Sequence, residues 1–248
     1  MKLSAVLITR DEGENLRECL EGLGFCDEIV VVDSGSRDDT ADLARRLGAK
    51  VFFNSFESFA AQKNFAVGKA QGEWVLLIDA DERVSSSLGA EIGRVLQNPL
   101  REGYFLRRRN RIFGRWMRCG DSGRDKQLRL ALRLKAVLTG LVHERVCLDG
   151  AGILKEPLLH YSTPDVKEYM KKLNFYTSLE ARALTERKEN VSMAKMKLRP
   201  FLFFLNVHFI RLGFLDGLEG FLFSVLSAYY EFVRRAKQWE SISGGQGS

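Results

Sequence analysis

Two acidic residues follow an apolar run in the first hundred residues of the chain. Asp79 and Asp81 come directly after residues 74–78 and are separated by Ala80. Hard divalent cations prefer oxygen ligands and commonly bridge a carboxylate to substrate phosphates. The spacing therefore indicates a site for Mg²⁺ or Mn²⁺ that carries a nucleotide diphosphate. Acidic residues after a strand are also common turn formers, and the spacing alone leaves this alternative open.

The elements that would position these residues alternate between strands and helices. The predicted strands are Leu3–Thr9, Glu28–Asp33, Lys50–Phe53 and Trp74–Asp79, and the predicted helices are 15–23, 38–47 and 58–70. This alternation is typical of an α/β fold with a mainly parallel sheet and helices on both faces. Ligands of such sheets bind outside the carboxyl ends of the strands. We therefore expect Thr9, Asp33 and Asp79 at one edge of the sheet.

Asp33 ends the second predicted strand, before the small-residue turn of residues 34–36. An ionised carboxylate only accepts hydrogen bonds, so Asp33 suits a contact with an N–H group of a nucleobase. The alternative is that Asp33 caps or orients its own turn.

Positive charge is concentrated in one segment. The 248-residue chain has a net charge of +6 and a pI of about 9.2, and residues 101–135 contain twelve basic and three acidic side chains. Forked guanidinium groups bind phosphate and carboxylate well, so this segment predicts an anionic ligand. The candidates are Arg107, Arg109, Arg111 and Arg129. A solvated basic face is the alternative, and nucleic acid is not expected because no base-stacking motif accompanies the charge.

The four cysteines form no C-x-x-C pair and the chain has three histidines. A zinc site is therefore not expected, and a reduced cytosolic setting is natural. The apolar stretch near the N-terminus is shorter than the core of a signal peptide and soon reaches Arg10, so no export signal is expected.

The C-terminal part of the chain is predicted to be helical. Helices are expected at 167–186, around 200–213 and around 214–235. The uncharged runs are shorter than the roughly 20 residues of a spanning helix. Their aromatic residues and flanking arginines suit a membrane interface, whereas the alternatives are a hairpin packed on the first domain or a dimer interface. We expect domains at 1–163 and 164–240 and a disordered tail at 241–248.

Four motifs in this order resemble a known family. They are the run 3–12, the Val-Val-Asp-Ser-Gly-Ser run at 31–36, Asp79-Ala80-Asp81-Glu82 and Val142-His143-Glu144. The chain resembles a family 2 glycosyltransferase with the GT-A fold, a Rossmann-like mixed sheet, here with a C-terminal helical extension. The resemblance is closest to the lipopolysaccharide core β-1,4-glucosyltransferase group and extends through residues 213–217, while Arg37 stands where relatives often have Thr.

The resemblance implies a nucleotide-sugar donor, usually a uridine diphosphate sugar, and inversion at the anomeric carbon. Residues 1–100 would form the nucleotide-sugar half and residues 101–163 the acceptor half. By this resemblance Thr9, Arg10 and Glu12 would line the nucleoside pocket. Asp33 would contact the base, and Lys63 would contact the base or the diphosphate. Asp79 would contact the ribose and a water on the metal, and Asp81 would bind the metal directly.

Two histidines and two acids complete the predicted site. Inversion by single displacement needs a base for the acceptor hydroxyl proton, and we assign Glu144 to this role, with His143 orienting it or contacting phosphate and Asp121 as the second candidate. An ion pair of Glu144 with an arginine is the alternative. By the resemblance His160 would complete metal or diphosphate binding, although a histidine beside an apolar run is more often a core residue.

The sequence thus predicts a metal-dependent inverting enzyme that moves a hexose, glucose by resemblance, from a UDP-sugar to an anionic lipid-linked saccharide such as lipopolysaccharide inner core. We expect it at the inner face of the cytoplasmic membrane, in peripheral contact with lipid, with a homo-oligomer as a further option. Two alternatives stay open: a membrane-peripheral binding module with a decayed sugar-nucleotide site, and a nucleotidyltransferase. The latter usually has a Gly-rich triphosphate loop, which residues 9–14 do not resemble.

Overall fold

The computed structural model describes residues 2–120, 122–139, 145–146, 148–187, 189–190 and 192–244. The chain forms two compact units. One combines Met1–Arg108 with Asp125–Tyr161, and the other combines Arg109–Arg124 with Ser162–Ser248. The second unit therefore includes residues 109–124 in addition to the C-terminal helices, whereas the sequence prediction gave two continuous domains, 1–163 and 164–240.

The described residues contain the following strands and α-helices. The strands are β1 (Leu3–Thr9), β2 (Glu28–Asp33), β3 (Lys50–Phe53), β4 (Trp74–Asp79), β5 (Glu82–Arg83), β6 (Gly103–Ile112), β7 (Arg115–Trp116), β8 (Lys126–Leu132), β9 (Leu138–Thr139), β10 (Arg145–Val146), β11 (Gly152–Ile153) and β12 (Leu158–Thr163). The helices are α1 (Gly13–Glu21), α2 (Thr40–Arg46), α3 (Phe59–Lys69), α4 (Ser86–Gln97), α5 (Val166–Glu186), α6 (Met193–Leu205) and α7 (Gly217–Gly244).

The main sheet is mixed. Its strand order is β3-β2-β1-β4-β8-β6-β12-β5. Strands β1 to β4 pair in parallel, and β8 is antiparallel to both β4 and β6. The predicted α/β fold with a Rossmann-like mixed sheet and C-terminal helices is therefore confirmed, and β1 to β4 have the bounds predicted from the sequence.

Alternating side chains of the central strands enter two separate cores. Leu7 and Leu76 belong to the core that also contains residues of α1, α2 and α4, whereas Val6 and Leu77 belong to the core that contains residues of α3. Successive strand residues point to opposite faces, so the apolar residues that β1 and β4 carry on both faces require helices on both faces of the sheet. Helix α4 was not predicted; its start is marked by Ser85, whose hydroxyl accepts a hydrogen bond from the Leu88 amide.

The second unit consists mainly of three helices. A π-helical stretch (Asn206–Ile210) and a 3₁₀ turn (Gly213–Asp216) connect α6 to α7. Helix α6 begins at Met193, seven residues before the predicted start, and α7 continues to Gly244. Residues 241–244 are thus helical, although we predicted that the disordered tail begins at 241.

Candidate functional site

The predicted edge residues meet at the carboxyl ends of the parallel strands. Thr9 is the register partner of Asp33, and Ile8 is the partner of Asp79. The Thr9 hydroxyl also donates a 3.3 Å hydrogen bond to Asp33 Oδ2. The structure therefore brings Thr9, Asp33 and Asp79 to one edge of the sheet, as we expected.

The loops after β1 and β2 are bonded to each other at this edge. The Asp11 amide donates to the Ser36 hydroxyl at 2.9 Å, and the Glu12 amide donates to the Thr40 hydroxyl at 2.8 Å. Asp11 has a φ of 54°, which is unusual for a residue with a side chain. The predicted nucleoside-pocket residues Arg10 and Glu12 thus lie on a loop whose backbone is held by the next loop, and Arg10 is exposed.

Asp33 organises the turn that follows it. Its Oδ1 accepts from the amides of Gly35 and Ser36, both at 2.9 Å, and its Oδ2 accepts from the hydroxyls of Ser36 and Thr9. Gly35 has a φ of 93°, a conformation that glycine adopts without steric cost. A carboxylate has about four acceptor positions, so three donors of the turn and the Thr9 hydroxyl of β1 together match them. The structure shows the capping role that the sequence left open, and the base contact stays a prediction.

Two cations hold the Asp79 carboxylate. Lys63 Nζ lies 2.9 Å from Oδ1, and Arg129 Nη2 lies 2.5 Å from Oδ2. Burial alone would raise the pKa of Asp79, but the charges and hydrogen bonds of Arg129 and Lys63 hold its pKa well below the ordinary value. Asp79 is therefore a fixed anion, and its contacts with ribose and metal stay predictions.

The pairing continues beyond Asp79 into a chain of alternating charges. Arg129 Nη2 also lies 2.7 Å from Glu82 Oε1. The guanidinium of Arg108 lies 3.3 Å from Glu82 and 2.7 Å from Asp125, and so connects these two acids. Glu82 is fully buried and its Oε2 accepts from the Asp79 amide at 2.9 Å. Buried charges are tolerated only when they are paired and hydrogen-bonded. We call these six residues the ion cluster: Lys63, Asp79, Glu82, Arg108, Asp125 and Arg129.

Arg129 is therefore placed differently from the other arginines that we grouped with it. Arg129 is 3% exposed and binds acids of the ion cluster, so the proposed contact with an acceptor is not available to its side chain in this structure. Arg107, Arg109 and Arg111 are exposed at alternate positions of β6. The guanidinium of Arg109 lies 5.3 Å from the ring centroid of Trp116.

Asp81 and His160 lie close to each other. His160 Nε2 lies 3.4 Å from Asp81 Oδ2, and the two side chains are 12% and 16% exposed. The pairing of β5 with β12 brings them together, because His160 is the register partner of Glu82 and the Tyr161 amide donates to the Asp81 carbonyl at 2.8 Å. Two residues that are 79 positions apart in the sequence thus share one site.

A divalent cation needs several oxygen or nitrogen ligands around it. Among the described residues, no group of three or more His, Cys, Asp or Glu side chains could hold a metal ion. A Mg²⁺ ion usually takes only one or two carboxylates and completes its shell with water and substrate phosphates. The oxygen of Asp81 and the imidazole nitrogen of His160 fit a cation that shares its remaining positions with a diphosphate.

The predicted base lies outside the part of the chain that the structure describes. This holds for Glu144, for His143 and for the second candidate Asp121, so their roles stay predictions.

Sequence reasoning gave no site role to Glu82 or Asp125, and it assigned Arg108 and Arg129 to an anionic ligand rather than to acids of the chain itself. One signal was available: Arg129 interrupts the apolar run 128–132 of β8, where a cation at the centre of a buried strand requires an acidic partner. The identity of that partner was not readable, because Glu82 and Arg129 are 47 residues apart.

Known proteins resemble this chain over most of its length. Residues 4–120 match the model of the family described as Glycosyl transferase family 2. The chain is 30% identical over 250 residues to a protein of Rhizobium meliloti named lipopolysaccharide core biosynthesis glycosyltransferase LpsC, with 97% of this chain and 93% of that protein covered. It is also 30% identical to an uncharacterized glycosyltransferase of Rickettsia felis, with 97% and 90% covered.

Solved structures with the same fold are also glycosyltransferases. The mannosyltransferase PcManGT from Pyrobaculum calidifontis, in complex with GDP-Man and Mn²⁺, has a TM-score of 0.59 at 13% identity and covers 96% of this chain and 87% of its own. Mannosyl-3-phosphoglycerate synthase from Rubrobacter xylanophilus has a TM-score of 0.51 at 19% identity, with 78% and 77% covered. These likenesses establish the GT-A fold.

Proposed function

Because the chain belongs to glycosyltransferase family 2, and is therefore an enzyme, we propose that it is a metal-dependent inverting hexosyltransferase. In this proposal the donor is a UDP-sugar, with glucose as the sugar, and the acceptor is a lipid-linked saccharide such as lipopolysaccharide inner core. The reaction takes place at the inner face of the cytoplasmic membrane. The name of the Rhizobium meliloti relative supports the acceptor class, and the resemblance in the sequence motifs supports the donor.

The main support for the proposal is that His160 lies 3.4 Å from Asp81. Asp81 comes two residues after Asp79, whose carboxylate is held by Lys63 and Arg129. Mg²⁺ or Mn²⁺ held by Asp81 and His160 would neutralise charge that develops on the leaving diphosphate. Asp79, fixed by Lys63 and Arg129, would accept a hydrogen bond from the ribose. The paired loops after β1 and β2 would hold the nucleoside.

The chemical step is a single displacement. The acceptor oxygen forms a bond to the anomeric carbon while the bond from that carbon to the diphosphate oxygen breaks, and the nucleoside diphosphate leaves. The proton of the acceptor hydroxyl passes to a carboxylate. We assign this carboxylate to Glu144, with Asp121 as the second candidate. Exposed Arg107, Arg109 and Arg111 would bind phosphate groups of the acceptor.

The test is calorimetric binding of UDP-glucose with and without Mn²⁺, together with release of UDP during turnover. Replacing Asp81 by Ala is expected to abolish turnover and the Mn²⁺-dependent part of the affinity. Asp42→Ala is the matched control, because Asp42 is exposed on α2 and pairs with Arg45. If no nucleotide sugar binds to the wild-type protein in the presence of Mn²⁺, the proposed function is wrong.

A further inference from the structure

Helix α7 exposes apolar residues and buries polar ones. Its outward residues follow each other at intervals of three or four along most of the helix and are 40–67% exposed: Leu218, Phe221, Val225, Tyr229, Phe232 and Trp239. The residues on its opposite side are buried and mostly small or polar: Gly220, Ser224, Glu231 and Gln238. A surface helix in a water-soluble domain normally has the opposite arrangement. We call the outward residues the apolar stripe.

The buried polar residues have partners within the unit. Glu180 of α5 accepts a hydrogen bond from the Tyr230 hydroxyl at 2.7 Å and pairs with Arg234 at 2.8 Å. Glu231 pairs with Arg199 of α6 at 2.9 Å. These ion pairs and hydrogen bonds fix the polar side of α7 against its neighbours, and the apolar stripe must therefore face outward.

The bend before α7 is also apolar on its outside. Exposed residues occupy nearly successive positions around it: Phe209, Ile210, Leu212, Phe214 and Leu215. Three of its amides bond internally: those of Arg211, Leu212 and Leu215 donate to the carbonyls of Asn206, Phe209 and Leu212 at 2.8, 3.2 and 3.0 Å. Satisfied backbone groups are what a lipid environment demands. Residues 209–218 form what we call the helical tip.

Within the described residues no single helix is long and apolar enough to cross a bilayer. The segments Met193–Ile210 and Gly213–Ser243, which meet at 71°, reach the required length and hydropathy only together. A bent pair of this kind suits insertion into one leaflet better than spanning.

Arginines lie beside the helical tip. The Gly120 amide donates to the Arg211 carbonyl at 2.9 Å, and the amides of Arg118 and Cys119 donate to the buried Asp216 carboxylate. Arg115 lies 3.7 Å from Glu219 at the start of α7. The strand-and-loop segment 115–120 thus holds exposed cationic side chains next to exposed apolar ones, the combination that binds anionic phospholipid headgroups.

We propose that the helical tip and the apolar stripe insert into the interfacial region of a bilayer that contains anionic phospholipid. A second copy of the chain is the competing occupant, because Leu218, Val225, Phe232 and Trp239 are seven residues apart, a spacing that a second helix could match. The bend favours lipid over a second copy. Apolar residues at successive positions around a turn face several directions, and a fluid bilayer can cover all of them whereas a single helix cannot. The membrane surface deepens the proposed function, because it would bring the enzyme to a lipid-linked acceptor. Only this link to the acceptor rests on the proposed function.

The experiment is flotation of the full chain with vesicles of phosphatidylcholine alone and of phosphatidylcholine mixed with phosphatidylglycerol. The wild type is expected to float with the mixed vesicles, more weakly with the neutral ones, and less at high salt because salt screens the arginines. In the double variant Ile210→Asn/Leu218→Asn the partition coefficient is expected to fall about a hundredfold, because two large apolar side chains are no longer buried in the bilayer. Both side chains are exposed, so the variant is expected to fold.

The matched control is Leu100→Asn/Leu134→Asn, which changes two equally exposed leucines of the other unit and is expected to float like the wild type. Arg115→Gln is expected to reduce the preference for anionic vesicles. If the tip variant floats like the wild type, the proposal is overturned. It is also overturned if the wild type does not float but elutes as a dimer that the tip variant converts to a monomer, since a second copy then covers the stripe.

Binding of UDP with Mn²⁺, measured on the same proteins by calorimetry, separates this proposal from the proposed function. We expect equal binding in the wild type and the tip variant. Flotation without nucleotide binding would support the membrane surface and contradict the donor site, and the reverse result would contradict the membrane surface alone.

Discussion

The binding partner predicted for Arg129 from the sequence differs from the partners it has in the structure. In the sequence Arg129 belongs to a basic segment that suits anionic ligands, whereas in the structure it joins Asp79 to the fully buried Glu82. The Nη2 atom of a guanidinium carries two protons, so Nη2 of Arg129 can donate to both carboxylates at once. Arg129 thereby sets the position of Asp79, and its contribution to turnover would be indirect.

Replacing Arg129 by Met is expected to lower the free energy of unfolding by about 3 kcal/mol, because the fully buried Glu82 then loses its 2.7 Å contact with a cation and keeps the 3.3 Å contact with Arg108. The measurement is urea denaturation at neutral pH. Arg45→Met is the matched control: Arg45 and its partner Asp42 are both exposed, so its effect is expected to stay below about 0.5 kcal/mol. Equal effects of the two replacements would contradict the buried pairing.

The depressed pKa of Asp79 predicts a specific dependence of stability on pH. A carboxyl group whose pKa is lower in the folded state stabilises the protein above the pKa of the unfolded state, about 3.9, and this stabilisation is lost as the pH falls through the folded pKa. The variant Asp79→Asn lacks this titration. Its free energy of unfolding is therefore expected to fall less steeply than that of the wild type below about pH 4.

Denaturation curves recorded from neutral to acidic pH test the acid dependence. Asp42→Asn is the control, since it removes an exposed carboxyl group, and its curve is expected to parallel that of the wild type. Parallel curves for wild type and Asp79→Asn would show that the cations do not hold Asp79 as the structure indicates.

At the scale of elements, the bend between α6 and α7 depends on close approach of backbone to backbone. A Cβ atom on Gly220 would lie 2.1 Å from the Gly213 carbonyl oxygen, well inside van der Waals contact. Leu212 has a φ of 60° just before the 3₁₀ turn. The turn therefore packs onto the first residues of α7 only because residue 220 has no side chain.

Gly220→Ala is expected to destabilise the protein by about 2 kcal/mol or more, as overpacking does. Gly93→Ala in α4 is the matched control, since a Cβ atom there meets nothing within 4 Å. Alanine replaces an unfavourable helix glycine at that position and is expected to stabilise by about 0.5–1 kcal/mol. Melting temperatures compare the two. A neutral Gly220→Ala would mean that the turn does not lie against α7.

At the scale of the whole molecule, the two compact units carry different proposed tasks. The ion cluster and the Asp81–His160 pair belong to the unit of Met1–Arg108 and Asp125–Tyr161, whereas the helical tip and apolar stripe belong to the other. The chain passes between the units three times: within β6, between Arg124 and Asp125, and near the end of β12. The proposed donor site and the proposed lipid-binding surface therefore belong to different units.

Hydrogen exchange read by mass spectrometry is expected to separate the two tasks. UDP with Mn²⁺ should slow exchange in residues 9–13, 33–40 and 79–83, since binding stabilises the native state that holds it. Vesicles with phosphatidylglycerol should slow exchange in residues 206–221 instead. Chelation with EDTA should remove the first effect and leave the second. Protection of the same peptides by both ligands would contradict two separate sites.

Local pattern in the sequence determined much of this protein. Alternating apolar runs set the bounds of β1 to β4, the end of each strand placed Thr9, Asp33 and Asp79 at one edge, and the acidic pair with its neighbours indicated the family. Each of these follows from neighbours in the chain, because strand direction and side-chain alternation are local properties.

Tertiary structure alone decided which charges pair. Arg129 meets Asp79 and Glu82 across about 50 residues of chain, and His160 reaches Asp81 through the pairing of β5 with β12. The outward direction of the apolar residues of α7 was decided in the same way. Periodicity identifies two faces of a helix, but which face is buried depends on partners such as Glu180 and Arg199, and those contacts exist only after the chain has folded.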